Sequence, residues 1–289
     1  SRRQRQMCIR DRFIRQNYKK MFTFVPMYCL SFDIEEFDLP KEHGYDMPFA
    51  TQMKVSRHGT NAILDILKKH GVKATFFVTV KFAENAPDEL SRIVKEGHEV
   101  ASHGVDHWVF EPAHILESRL RLQELTGCDV RGFRMARMRK IDPDLFAQAG
   151  YAYESSLNPT FIPGRYNNLA KPRTMYEQEG GVLQIPASVT PLVRFPMFWL
   201  AGHVLPPAVY RTLARRVEHA DGYFVTYFHP WEFYDLKSLA PDYKLPAMIC
   251  HRSGAGMCCM LDSLITDAKQ RGIGFGTFSE LVRKYNKSV

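Results

Sequence analysis

Apolar positions fall along the chain in two alternating patterns. Phe22–Asp33 is almost unbroken apolar sequence, as a strand buried on both faces would be, and Val72–Val80 ("VKATFFVTV") repeats it. Between them, Arg57–His70 spaces its apolar residues at helical intervals. Ala86–Glu96 does so again before Gly97 turns the chain into "HEVASHG". Strand, helix, strand, helix, strand in immediate succession is the βαβ rhythm, which calls for a parallel sheet.

The rhythm continues with a helix at Ala113–Leu125, a strand at Val130–Met135, a helix at Asp142–Ala149 closed by Gly150, and a strand end at "YAYESS". Residues 158–205 are rich in Pro, Gly and Asn and predict a long excursion with little regular structure. A helix at Pro206–His219, the strand "YFVTYFHP", a helix at Gly256–Gln270 and the closing "IGFGTFSELVRKY" follow. No repeat, low-complexity tract or linker divides the sequence, so a single α/β domain is expected. About seven βα units favour a barrel over an open sheet.

Composition changes this picture little. The 289 residues are 45% hydrophobic and 12% aromatic, ordinary values for a globular protein. The net charge of +8 invites a nucleic-acid reading until its position is examined. Residues 1–20 hold eight Lys or Arg against Asp11 alone, so the rest of the chain carries only +1. This stretch has no apolar core of a secretory signal, and Met21 reads as a start. Residues 1–20 are therefore expected to be a non-native or disordered basic extension, with residues 21–289 as the folded domain and no nucleic-acid partner. The six cysteines show no metal-type Cys-x-x-Cys spacing and predict reduced thiols. The longest uncharged run, Phe195–Tyr210, contains three prolines and is too short to span a bilayer. It is expected to be a buried or lid-like segment, with a membrane-touching surface as the second reading.

Chemistry in parallel βα folds gathers where strands end and loops converge. Asp33 with Glu35, His103 with His107, Arg134, Glu154 with Ser155, and His229 all fall at such ends. Taken singly each has a bland reading: a solvated acidic run, loop histidines, a capping histidine. Asp33 resists it, because "MYCLSF" is too apolar for an exposed strand and a charge at its end needs a partner. Residues i and i+2 of an extended chain point the same way, so Asp33 and Glu35 share a face. Two histidines and a carboxylate are a standard set for a divalent ion. Glu35, His103 and His107 are then the candidate ligands and Asp33 the candidate base, with Glu36 and Asp38 at the rim or behind the ligands. Arg134 could hold the Asp33 carboxylate, whereas a solvated basic run accounts for Arg131, Arg137, Arg139 and Lys140.

The segments "VKATFFVTV", "EGHEVASHGVDH", "RGFRMA", "GYAYESS" and "FHPWEF", in this order, resemble the polysaccharide deacetylase family, carbohydrate esterase family 4, over about Met21–Tyr285. "FHPWE" and the carboxylate-x-carboxylate motif are most similar to the branch linked to bacterial cell-surface polysaccharide biosynthesis. The resemblance implies a distorted (β/α)7 barrel and one divalent ion, Zn²⁺ with Co²⁺, Ni²⁺ or Fe²⁺ as alternatives. It implies Asp33 as general base, Arg134 as its partner, His229 as general acid and His103 and His107 as ligands, with residues Tyr153 to Ser156 helping to line the site. Ile34 stands where the family usually places its ligand Asp, which leaves that role to Glu35. Gly104 replaces the usual hydroxyl residue, and Met135 and Arg137 are unusual in the third motif.

The activity this implies is removal of N-acetyl groups from the amino sugars of a polysaccharide or its precursor. Phe37, Trp108, Phe198 and Trp231 are candidates to stack on sugar rings. The expected partner is an N-acetylated carbohydrate, handled in the cytoplasm or at the inner face of the membrane in peripheral contact with membrane-linked sugar intermediates. A cyclic-amide hydrolase of the allantoinase type and a non-catalytic carbohydrate-binding protein are the alternatives.

Overall fold

The structure is a computed structural model and describes residues 26–288. The basic segment 1–20 and the first residues of the predicted opening strand lie outside the described residues. In chain order the strands are β1 (Met27–Ile34), β2 (Thr75–Val78), β3 (Glu99–Ser102), β4 (Gly132–Phe133), β5 (Tyr153–Glu154), β6 (Phe161–Ile162), β7 (Tyr166–Asn167), β8 (Tyr176–Glu177), β9 (Leu183–Gln184), β10 (Tyr223–Phe228) and β11 (Gly274–Phe275). Seven of them pair in parallel in the order β10-β1-β2-β3-β4-β5-β9, with β8 antiparallel on the outer edge of β9. β11 pairs with the first residues of β1, and β6 and β7 form a separate hairpin.

The sheet curls into a barrel, as the βα count favours, in the distorted (β/α)7 form that the family resemblance implies. Among the described residues no strand ladder joins β9 to β10. Ser188 spans the gap instead, its N–H donating to Val225 O (3.0 Å) and its hydroxyl accepting from Val225 N–H (2.9 Å).

Alternation along the strands decides what reaches the site. In β1, Tyr28, Leu30, Phe32 and Ile34 face the helices, whereas Met27 and Cys29 face the barrel interior with Phe77, Ala101, Tyr223 and Val225. Asp33 and Glu35 continue the inward series. The same parity carries Ala101 to His103, and Val225 and Tyr227 to His229. The helix Phe278–Ser288 packs Phe278, Leu281 and Val282 into that interior cluster.

Several elements differ from the sequence expectation. The helix expected at Arg57–His70 begins at Phe49, directly after Pro48. The strand expected at Val72–Val80 is only Thr75–Val78, because Thr79 Oγ1 accepts from Phe82 N–H and starts a helix at Val80–Asn85. The excursion at 158–205 contains four short strands and the helix Trp199–Val204. Phe195–Tyr210 is anchored by buried Met197, Phe198, Ala201, His203 and Tyr210, which fits the buried reading. No helix among the described residues is long and apolar enough to cross a membrane.

Gly59 allows a close approach beneath the site. A Cβ on Gly59 would stand 1.8 Å from Pro230 O. The helix Phe49–His70 can therefore press against the 3-10 turn Pro230–Phe233 that follows His229.

Candidate metal and catalytic site

The carboxyl ends of the strands open into a cavity of about 1020 Å³. Asp33, Glu35, Asp38, His103, His107 and His229 all line it. Glu35 Oε2 lies 3.1 Å from His103 Nε2 and 3.1 Å from His107 Nε2. One ligand atom from each of the three falls within 4.8 Å of the other two, and all three residues are buried.

Both imidazoles are fixed through the other ring nitrogen. His103 Nδ1 donates to Arg134 O (2.8 Å), and His107 Nδ1 donates to the Asp38 carboxylate, 2.8 Å from Oδ1 and 2.9 Å from Oδ2. That leaves both Nε2 atoms aimed at Glu35, the tautomer a metal site requires. The clustered charges perturb one another. Burial alone would raise the Glu35 carboxyl, yet His107 and the bond from His103 bring it down to about 2. Burial disfavours a charged His107, but Glu35 and Asp38 outweigh it and lift the imidazole to about 9.

The loop carrying the histidines needs Gly104, whose φ of +89° would strain any other residue. Ser102 Oγ steadies the loop by accepting from Gly104 N–H at 3.1 Å. Asp106 shapes the next turn by accepting from Trp108 N–H (2.6 Å) and Val109 N–H (2.9 Å). Lys81 ties that loop to the one after β1, 2.8 Å from Asp106 and 2.9 Å from Glu36. Glu36 thus turns away from the histidines, while Asp38 sits behind one of them.

Asp33 is held from the opposite wall. Arg134, fully buried, donates from Nη1 to Asp33 Oδ1 (2.5 Å), from Nε to Ser155 O (3.0 Å) and from Nη2 to Ser155 Oγ (3.0 Å). Its guanidinium lies 4.0 Å from the centre of the Phe77 ring. The other Asp33 oxygen is 3.9 Å from His229 Nε2. His229 Nδ1 donates to Glu232 Oε1 (3.0 Å), and the other Glu232 oxygen takes His203 Nε2 at 3.1 Å. Burial alone would lower the His229 pKa, but Glu232, Glu35 and Asp33 raise it above the ordinary histidine value. Trp231 stacks on His229 at 5.0 Å and on His203 at 6.4 Å.

Some sequence expectations need correction. Trp108 is no free platform: its ring lies between Lys41 (4.6 Å) and Arg137 (4.4 Å). Arg137 is not a solvated charge, since it also pairs with Glu42. Phe37 is fully buried, whereas Phe198, Trp199 and Trp231 line the cavity. Within 153–156, Glu154 and Ser156 line it, but Tyr153 points away to Glu99 (2.9 Å). Sequence reasoning missed His203, Glu232 and Lys81. Glu232 alone left a signal, three residues after His229 in the same motif.

These elements define a class: a curled parallel α/β barrel with a His–His–carboxylate cluster at the carboxyl ends of its strands. The polysaccharide deacetylase family model matches residues 45–151. A peptidoglycan-N-acetylglucosamine deacetylase of Bacillus cereus is 36% identical over 90 residues, covering 30% of this chain and 29% of that protein. The family-model match identifies a polysaccharide deacetylase domain over residues 45–151. The alignments span only 18% to 29% of the length of the first curated relatives. Among solved structures, a Mycobacterium smegmatis protein assigned to the polysaccharide deacetylases superposes with a TM-score of 0.62 at 19% identity, covering 90% of each chain. An allantoinase superposes with a TM-score of 0.61 at 16% identity, covering 91% of each chain. At such identities these structures establish the fold and nothing finer.

Proposed function

We propose that the chain is a metal-dependent hydrolase that removes N-acetyl groups from the amino sugars of a polysaccharide or its precursor. The observation that carries this reading is the convergence of Glu35, His103 and His107 beside Asp33 and His229 in one cavity. Two imidazole nitrogens and a carboxylate oxygen suit Zn²⁺, with Co²⁺, Ni²⁺ or Fe²⁺ as alternatives. The Nδ1 contacts of both histidines fit that role. When bound, a divalent ion supplies Lewis acidity, polarising the acetamide carbonyl and acidifying water.

The chain's own groups do the proton work. Asp33 has one oxygen engaged by Arg134 and the other free to take a proton from the attacking water. His229, kept protonated by Glu232, gives a proton to the departing amine nitrogen as the amide C–N bond breaks. The products are acetate and a free amino sugar. Trp199, half-buried at the cavity wall, offers an apolar face to a sugar ring.

The similarity to a peptidoglycan deacetylase supports a cell-surface polysaccharide as substrate. The "FHPWE" motif supports the biosynthetic branch, working on cytoplasmic intermediates. Residues 21–289 are the catalytic unit in this reading and residues 1–20 lie outside it. The test is acetate release from N-acetylchitooligosaccharides and peptidoglycan fragments, with and without chelator, and with allantoin as the rival substrate. Chelator-sensitive acetate release supports the reading, and hydrolysis of allantoin alone overturns it.

A further inference from the structure

The acidic residues of this chain are unevenly placed. No Asp or Glu occurs from Ser155 to Tyr176 or from Gly180 to Val217, in a chain that has 31 of them. Within these stretches two loops are fastened together beside the cavity mouth. Arg194 Nη1 donates to Pro159 O (3.2 Å) and Lys171 O (2.7 Å), while Thr160 Oγ1 donates to Arg194 O (2.6 Å). The backbone of Arg194 is left-handed, with φ of +51°, and its N–H closes the turn onto Thr190 O at 3.1 Å.

This bracing presents apolar side chains to the outside. Leu192 is 94% exposed and Val193 81% at the turn's tip, with Phe161 (52%) and Leu169 (46%) on the neighbouring loop. A soluble surface scatters such residues singly, and clustering them marks a contact surface. Cations flank the cluster. Arg165, Lys171 and Arg194 make no ion pair among the described residues. Gly164, Arg165, Tyr166, Asn168 and Lys171 also line the cavity that holds Glu35, His103 and His107.

We propose that the face formed by residues 159–171 and 190–195 docks the protein on an anionic lipid surface. Leu192 and Val193 enter the headgroup region while Arg165 and Lys171 meet lipid phosphates. Apolar tips inserted among unpaired cations are the chemistry of peripheral membrane binding, and the absence of carboxylates removes the repulsion that would oppose it. The surface turns the cavity mouth toward the bilayer, so substrate is taken from the membrane plane. The inference stands apart from the deacetylase reading, because docking is measured without turnover.

The experiment is co-sedimentation of the full chain with vesicles of phosphatidylcholine, alone or mixed with phosphatidylglycerol. Three proteins are compared: wild type, Leu192→Ser with Val193→Ser, and Arg165→Gln with Lys171→Gln. All three keep the basic segment 1–20, and circular dichroism spectra establish that each is folded. Wild type is expected to sediment with the mixed vesicles. The serine variant should bind about tenfold more weakly at unchanged charge, and the glutamine variant about fivefold or more. Equal binding by all three proteins would assign the affinity to segment 1–20 and overturn the proposal. Absence of binding by wild type would overturn it too, as would a wild-type dimer dispersed by the serine changes without vesicle binding, which would make the face a contact between copies.

Discussion

Glu232 grips His229 twice through one oxygen: Oε1 accepts from the backbone N–H at 2.6 Å and lies 3.0 Å from Nδ1. Its second oxygen is occupied by His203, so the carboxylate cannot swing away. In Glu232→Gln the negative charge that helps His229 keep its proton is gone. The expected result is a fall in kcat of about 10- to 100-fold. The direction in pH follows from the sign of the shift. Glu232 raises the His229 pKa, so the general acid is lost as pH rises through that raised value, and the basic limb of the kcat profile should move to lower pH in the variant. His203→Gln keeps an N–H donor and should change little, whereas His203→Leu should follow Glu232→Gln. Measured pH profiles of acetate release decide this, and unmoved basic limbs in both Glu232→Gln and His203→Leu would contradict it.

Asp38 is the group behind the candidate metal ligand His107. Its carboxylate accepts from Nδ1 with both oxygens near the donor, fixing the ring with Nε2 toward Glu35. Asp38→Asn should weaken Zn²⁺ binding about 10- to 100-fold, as loss of such a support commonly does. His107→Ala should abolish stoichiometric binding. Competition against a chromophoric chelator gives both affinities, and an Asp38→Asn protein that matches wild type would remove Asp38 from the site.

Much of this arrangement is legible in the residues because parity along a strand is a strong constraint. The apolar run of β1 requires burial on both faces, and the carboxylates that end it then emerge at i and i+2 on one side. The histidines of "ASHGVDH" follow another buried strand in the same way. Legibility fails where the strand geometry stops. Beyond Glu35 alternation no longer governs direction, so the different fates of Glu36 (to Lys81) and Asp38 (to His107) depend on loops that fold back from β2 and β3. His203 lies in an uncharged segment whose fold depends on long-range packing, and nothing local ties it to Glu232. The helix after Thr79 was visible in principle from the capping threonine, but the apolar run of "TFFVTV" continues through it and hides the boundary.

Arg134 and Asp33 form a pair removed from water, Arg134 fully and Asp33 nearly so. Removing one partner strands the other's charge, which costs about 3–5 kcal/mol in buried pairs. Arg134→Met should therefore lower stability by about that amount, and restoring neutrality with Asp33→Asn should recover part of it. Arg134→Lys should not substitute, because three donors from Arg134 reach Asp33 and both the carbonyl and hydroxyl of Ser155. Urea denaturation of the two single variants and the double variant completes the cycle. Additive losses would show that Asp33 and Arg134 are not coupled.

His98 gives a pH dependence separate from the site. Its ring packs 5.0 Å from Phe76, and its Nδ1 accepts from Ala74 N–H at 3.3 Å, so that nitrogen must carry no proton. Burial first, and then the charge of Lys73, lower its pKa to about 4. An unfolded histidine titrates near about 6.5. Between these two values the unfolded chain binds the extra proton, so stability falls as pH drops through that window and is unaffected above it. His229, whose pKa is raised, acts in the opposite direction at the top of the window, where the folded chain binds the extra proton, and adds little below it. The buried carboxyls of Glu36 and Glu154, pushed upward, act in the opposite direction near the bottom of the window. The contribution of His98 is therefore read from a difference between proteins. In His98→Asn the side-chain oxygen can accept from Ala74 N–H without a titrating ring. The stability of wild type relative to this variant should fall by about 2 kcal/mol between about pH 7 and about pH 4.5. Denaturation curves at several pH values test this, and parallel profiles for the two proteins would mean that His98 does not carry the acid sensitivity.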